Sequence, residues 1–121
     1  MKKILIVDDE PDLRTVAKMR LEVEGYQIIV GSNGQECLDL AQKEMPDLII
    51  LDIMMPVMDG YTALKHLKAD QSLSEIPVIM FSIKEKMKME GLFITDMVEC
   101  YIEKPFEAEE LVSKVKSVLG E

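Results

Sequence analysis

The stretch "LIILDIMMPVMDG", residues 48–60, decides the fold. Four apolar residues suited to a buried strand run into one aspartate, Asp52, and then into a loop that holds Pro56 and Gly60. A carboxylate at the edge of an apolar interior is costly unless a charge or a hydrogen-bond donor meets it. The pattern predicts a strand that opens at its carboxyl end onto a polar site. What meets Asp52 there has to come from elsewhere in the chain.

Short apolar runs recur at "ILIV" (4–7) and "VIMF" (78–81), and more weakly at "YQIIV" (26–30) and "CYI" (100–102). Continuous runs of this length suit parallel strands covered on both faces. Between them the apolar residues fall at helical spacing. Leu13, Val16, Ala17 and Leu21 follow Pro11, which suits a first helical turn; Cys37, Leu38, Ala41 and Met45 repeat the stripe. Tyr61, Leu64 and Leu67 form a third, and Leu111, Val112, Val115, Val118 and Leu119 form the clearest, ending near Gly120. "SNG" at 32–34 reads as a helix start after the second strand rather than as a hairpin turn. Residues 84–97 read as one more helix, with the least regular stripe. Strand then helix, five times over, predicts an α/β fold with a doubly wound parallel sheet and five helices.

The 121 residues fit one domain, residues 1–121, and 48% of them are apolar, enough for a sizeable core. A net charge of -9 argues against nucleic acid or an anionic membrane as a direct partner, and suits cations or a partner with basic patches. No apolar run reaches the length of a membrane span. Lys2 and Lys3 precede "ILIV", but "DDEPD" follows at once, which argues against a secretory signal. Cys37 and Cys100, without a Cys-x-x-Cys spacing, read as free thiols of a reducing cytoplasm. His66 is the single histidine and falls on the exposed side of its helix, so a multi-histidine metal site and a His-bearing triad have little to work with.

Five strands wound this way take the order 2-1-3-4-5, with ligands at the carboxyl ends of strands 1 and 3. Strand 1 runs into Asp8 and Asp9, and strand 3 into Asp52, so the three carboxylates flank one crevice. Strands 4 and 5 deliver Ser82 and Lys104 to the same edge. Taken alone, Asp8 and Asp9 could cap the first helix. Beside Asp52 they would repel one another unless a hard divalent cation intervened. Mg²⁺ suits such a site, with Mn²⁺ as the alternative, because it takes carboxylates while keeping water and phosphate oxygens as further ligands. Lys104 offers a charge to a phosphate oxygen, and Ser82 offers a hydroxyl. Asp52 is then the nucleophile that accepts a phosphoryl group, while Asp8 and Asp9 hold the metal.

"ILIVDDEP", "DLIILDIMMPVMDG", "VIMFS" and "YIEKPF" together resemble the receiver domain of two-component response regulators, over essentially the whole chain. The resemblance implies a flavodoxin-like (CheY-like) fold and transfer of phosphate to Asp52 from a sensor histidine kinase or a phosphotransfer protein, with Mg²⁺ required. It implies metal ligation by Asp9, Asp52 and the backbone carbonyl of Met54, with Asp8 contributing directly or through water. It also implies a switch in which Ser82 moves toward the phosphoryl group and Tyr101 turns inward, and a cis peptide at Lys104–Pro105. The signal would leave through the fourth helix, the fifth strand and the last helix, toward a target protein, an output domain or a second copy. The expectation is a stand-alone or excised domain, with no output domain in these residues.

Two other readings differ in kind. An aspartyl-nucleophile phosphatase carries a second aspartate two residues after the nucleophile, where this chain has Met54. A binding module that no longer uses phosphate is disfavoured by the intact carboxylate trio, and a flavin carrier by "DDEPD", which would repel its phosphate. The chain departs from the family pattern at Ile83, where a small residue is usual, and at Met97 and Val98, where Gly-Ala is common. Met54 and Lys84 occupy the positions at which the family tunes phosphate lifetime.

Overall fold

Successive residues of a strand point to opposite faces, so a strand that is apolar throughout needs cover on both. That requirement is met in the computed structural model, which describes residues 1–82 and 98–121, Ser82 by its backbone alone. The order of elements is β1 (Lys3–Val7), α1 (Pro11–Val23), β2 (Gln27–Gly31), α2 (Gly34–Glu44), β3 (Leu48–Asp52), α3 (Gly60–Ala69), β4 (Val78–Ser82), β5 (Cys100–Glu103) and α4 (Ala108–Leu119). The five strands are parallel in the order β2-β1-β3-β4-β5, as the pattern predicts. Four helices are seen among the described residues; the helix expected over 84–97 lies outside them.

Within β1, Leu5 and Val7 face one side of the sheet with Ile49 and Leu51, under Cys37 and Ala41 of α2 and Ala63, Leu64 and Leu67 of α3. Ile4 and Ile6 face the other side with Ile50, Ile79 and Phe81, under Ala17 and Leu21 of α1 and Leu111 and Val115 of α4. Each fully buried Leu, Ile or Phe contributes about 1.5–3 kcal/mol relative to exposure, so the sheet is held from both faces. The two edge strands are less completely covered, β2 exposing Gln27 and Val30 and β5 exposing Glu103.

Two residues expected on apolar stripes are not buried. Val16 is 57% exposed, because α1 presents Ala17 and Leu21 to the sheet and turns Val16 toward an open cavity lined with Leu13, Pro105 and Phe106. Met45 is 49% exposed, because α2 ends there in a left-handed residue (φ 46°). The "SNG" reading holds: Asn33 caps α2, its side chain accepting from the Glu36 N–H at 2.9 Å.

The rim where the strands begin is closed by side chains. Tyr26 Oη donates to Glu121 Oε1 at 2.5 Å, and Glu24 accepts from Arg20 and pairs with Lys116, tying the end of α1 to α4. Burial, and then the bond to Glu121, push the Tyr26 phenol up to about 12.

Candidate functional site

At the opposite rim, β1 and β3 end side by side, with Val7 level with Leu51. Asp8 follows Val7 and Asp52 closes β3; among the described residues they are the buried charged pair, 0% and 5% exposed. The Asp8 Oδ1 accepts from the Glu10 N–H at 2.9 Å, and its Oδ2 accepts from Lys104 Nζ at 3.0 Å. Its own carbonyl accepts from Arg14 Nη1 at 2.8 Å. The carboxylate is therefore not spent on capping α1, whose N-cap residue is Glu10. Lys104 Nζ also lies 3.3 Å from Asp52 Oδ1 and 3.5 Å from Glu10 Oε1.

Packing holds the lysine in this place. Lys104 directly follows β5, and its Nζ sits 5.9 Å from the centre of the Phe81 ring at the end of β4. Phe106 stacks on the same ring at 5.0 Å, which fastens the loop after β5 to the sheet. The Lys104–Pro105 peptide is cis.

The charges do not balance. Burial, and then the nearby charge of Asp8, push the Asp52 carboxyl up to about 7, with Lys104 opposing. Burial also raises Asp8, against its bonds from Glu10 and Lys104. For Lys104, burial acts to lower the ammonium, but the bond to Asp8 and the charges of Asp52, Asp8 and Glu10 outweigh it, and the pKa is raised. The cation therefore stays charged at neutral pH, while the two buried acids compete for it.

Asp9 is exposed, with a carboxylate oxygen within 4.8 Å of those of Asp8 and Glu10. Asp52 joins that trio through Lys104. Met54 follows Asp52 by two residues on an exposed loop, its side chain turned to solvent. Ser82 ends β4, one residue past Phe81, which pairs with Asp52; Tyr101, half-buried, packs against the core under α2 and α3. Val98 packs against the same core, whereas Ile83, Lys84 and Met97 lie outside the described residues.

Glu10 and Arg14 are site neighbours that sequence reasoning passed over. A third acid after the "DD" pair was the available signal for Glu10. Nothing in the spacing marks Arg14, whose bond reaches back six residues to a backbone oxygen.

The donor set fits a hard divalent cation. Three carboxylates, Asp8, Glu10 and Asp52, meet one lysine ammonium, Asp9 lies beside Asp8 and Glu10, every candidate donor is oxygen, and both buried acids have raised pKa values. Oxygen-rich, over-negative sites of this kind suit Mg²⁺ or Mn²⁺.

An α/β fold with an aspartate site at the β1–β3 crevice defines a class, and comparison with known proteins narrows it. Residues 4–116 match the response regulator receiver domain, and the chain belongs to that family. It is 39% identical over 120 residues, 98% of its length, to the phosphate regulon transcriptional regulatory protein PhoB of Pseudomonas aeruginosa, covering 52% of that protein. The chain spans about half the length of the curated relatives it matches. Among solved structures, the signal receiver domain of a signal transduction histidine kinase from Syntrophus aciditrophicus superposes with a TM-score of 0.91 at 36% identity, covering 99% of this chain and 91% of that one. The receiver domain of the sensor histidine kinase PA1611 from P. aeruginosa PAO1, with a magnesium ion coordinated in its active-site cleft, gives 0.89 at 26% identity, covering 99% and 98%. The chain is thus a receiver domain of two-component response regulators, a family of phosphoacceptor switches, with the flavodoxin-like sheet order expected of it.

Proposed function

We propose that Asp52 is the phosphoacceptor of this receiver, and that Asp8, Asp9 and Asp52, with the Met54 carbonyl, hold a Mg²⁺ ion beside it. The observation that carries the reading is Lys104, whose single ammonium bridges the buried Asp8 and Asp52 from the strand beyond. When bound, the ion would draw charge from the carboxylates and from the transferring phosphoryl oxygens.

The chain's own part is nucleophilic. An ionised Asp52 oxygen forms the new P–O bond as the P–N bond of a phosphohistidine donor breaks; the departing imidazole keeps the electron pair and takes a proton from solvent. Lys104, fixed against Phe81, donates an N–H to a phosphoryl oxygen and holds it in line. Ser82 and Tyr101 then report the new charge, a local electrostatic event biasing a two-state element. The donor is a sensor histidine kinase or phosphotransfer protein, and the recipient of the signal is a target protein, an output domain or a second copy of the chain. Residues 1–121 act as one receiver unit.

The chain acts as a phosphoacceptor switch that catalyses its own phosphorylation and dephosphorylation, not as a multiple-turnover metabolic enzyme. The position two residues after Asp52, which would serve an acid-base aspartate, is Met54, whose side chain is 57% exposed. Two free cysteines support a cytoplasmic setting, and no described helix is long and apolar enough to cross a membrane.

Incubation with acetyl phosphate and Mg²⁺, followed by intact mass measurement, tests this. The wild type gains one phosphoryl group and Asp52→Asn gains none. Equal labelling of the two proteins, or phosphate release that Asp52→Asn retains at the wild-type rate, overturns the reading.

A further inference from the structure

The loop between Asp52 and α3 is held at both ends by glycines that have no conformational need to be glycine. Gly34 and Gly60 each open a helix, α2 and α3, and neither has a positive φ. Both are required by close approach. A Cβ on Gly60 would lie 2.2 Å from the carbonyl oxygen of Asp52 itself. A Cβ on Gly34 would lie 2.4 Å from the carbonyl oxygen of Met58 and 2.8 Å from its Cγ.

Hydrogen bonds accompany both approaches. The Gly60 N–H donates to Ile53 O at 2.8 Å, and the Gly34 N–H donates to Met58 O at 2.9 Å. Met58 donates in turn to Pro56 O at 2.7 Å, across Val57, which sits at φ 69°. A β-branched residue keeps that conformation only where its surroundings over-determine it. The bond from Gly34 is a tertiary contact at that point, beside the packing of the Met58 side chain against the core.

We infer that Gly34, on the far side of the loop from Lys104, is a positioning residue for the acceptor site, setting the loop after Asp52 through Met58. The inference rests on the proposed role of Asp52 and extends that site to the start of α2. It touches no reacting atom and acts only through the loop. An ordinary contact begins near 3.4 Å, so a methyl at position 34 must drive Met58 or α2 aside by about 1 Å, a displacement that can cost up to ~100-fold where geometry is critical.

The test compares two glycine variants in the full chain. Gly25→Ala, at φ 96° with open space around it, destabilises the fold away from the site. Calorimetric titration with Mg²⁺ alone, and the rate of labelling by acetyl phosphate, are read for each. Gly34→Ala should weaken Mg²⁺ binding and slow labelling by about tenfold or more, while Gly25→Ala binds and labels as the wild type does despite a lower Tm. Met58→Ala, which strips the side chain over Gly34 but leaves the backbone free to fold, should weaken both in the same direction by a smaller factor. Wild-type Mg²⁺ binding and labelling by both Gly34→Ala and Met58→Ala overturns the positioning role and leaves the acceptor assignment standing. Equal losses in Gly25→Ala and Gly34→Ala overturn it as well, because they mark a general effect of instability. A wild type that neither binds Mg²⁺ nor accepts phosphate removes both readings.

Discussion

At Asp52 the carboxyl sits near 7 because burial disfavours its charge, Asp8 repels it, and Lys104 only partly compensates. A carboxyl whose folded pKa lies above its unfolded value favours folding when protonated. Its contribution is complete below the ordinary value of 3.8 and is lost as pH rises through about 7. Asp8, shifted in the same direction, steepens the slope. Free of divalent cation, the protein should therefore melt at a lower temperature at about pH 8 than at about pH 5. Asp52→Asn should remove most of that slope and raise the Tm at about pH 8 by roughly 5 °C. Added Mg²⁺ should stabilise the wild type more than the variant. Melting curves at the two pH values, with and without Mg²⁺, decide this; a cation-free variant that melts below the wild type at the higher pH contradicts it. Asp8, Asp52 and Lys104 were legible because each closes or directly follows a strand, and a parallel sheet brings all such ends to one rim. Glu10 was masked by its look of a helix start, and Arg14 by a bond that depends on how residues 8–11 turn.

Among the elements, what was readable followed strand and helix periods, and what was missed lay at their ends. The stripe of Cys37, Leu38 and Ala41 extends naturally to Met45, one turn further on. The chain instead leaves the helix there, with φ 46°, ψ 62° and the Met45 N–H returned to Ala41 O. A stripe records which face is apolar but not where the backbone reverses. The left-handed conformation costs a side-chain-bearing residue about 1–2 kcal/mol and costs glycine nothing, though glycine adds freedom to the unfolded chain. Met45→Gly should thus stabilise the fold by about 0.5 kcal/mol, seen as a higher urea midpoint with an unchanged slope. A lower midpoint shows that the methionine side chain contributes packing that its exposure conceals. The closure of Gly34 on Met58 was equally hidden, because the two are brought together by tertiary packing rather than by any local repeat.

For the molecule as a whole, the order β2-β1-β3-β4-β5 separates two rims with different tasks. One gathers Asp8, Asp52 and Lys104; the other is closed by Tyr26, Glu24, Lys116 and Glu121. Ninety-five residues separate Tyr26 from Glu121, so no sequence pattern announced that bond. Tyr26→Phe should lower stability by about 1 kcal/mol and speed amide exchange over residues 117–121. Acceptance of phosphate should be unchanged. A slower acceptance in this variant would show that the rims are coupled through the sheet. With five residues in β3, the two rims stand about 17 Å apart. Glu121 is anchored where the strands begin, a whole sheet's height away from Asp52. A change at the acceptor would reach that anchor through the packed layers between them, as a slide or tilt of rigid elements rather than by direct contact.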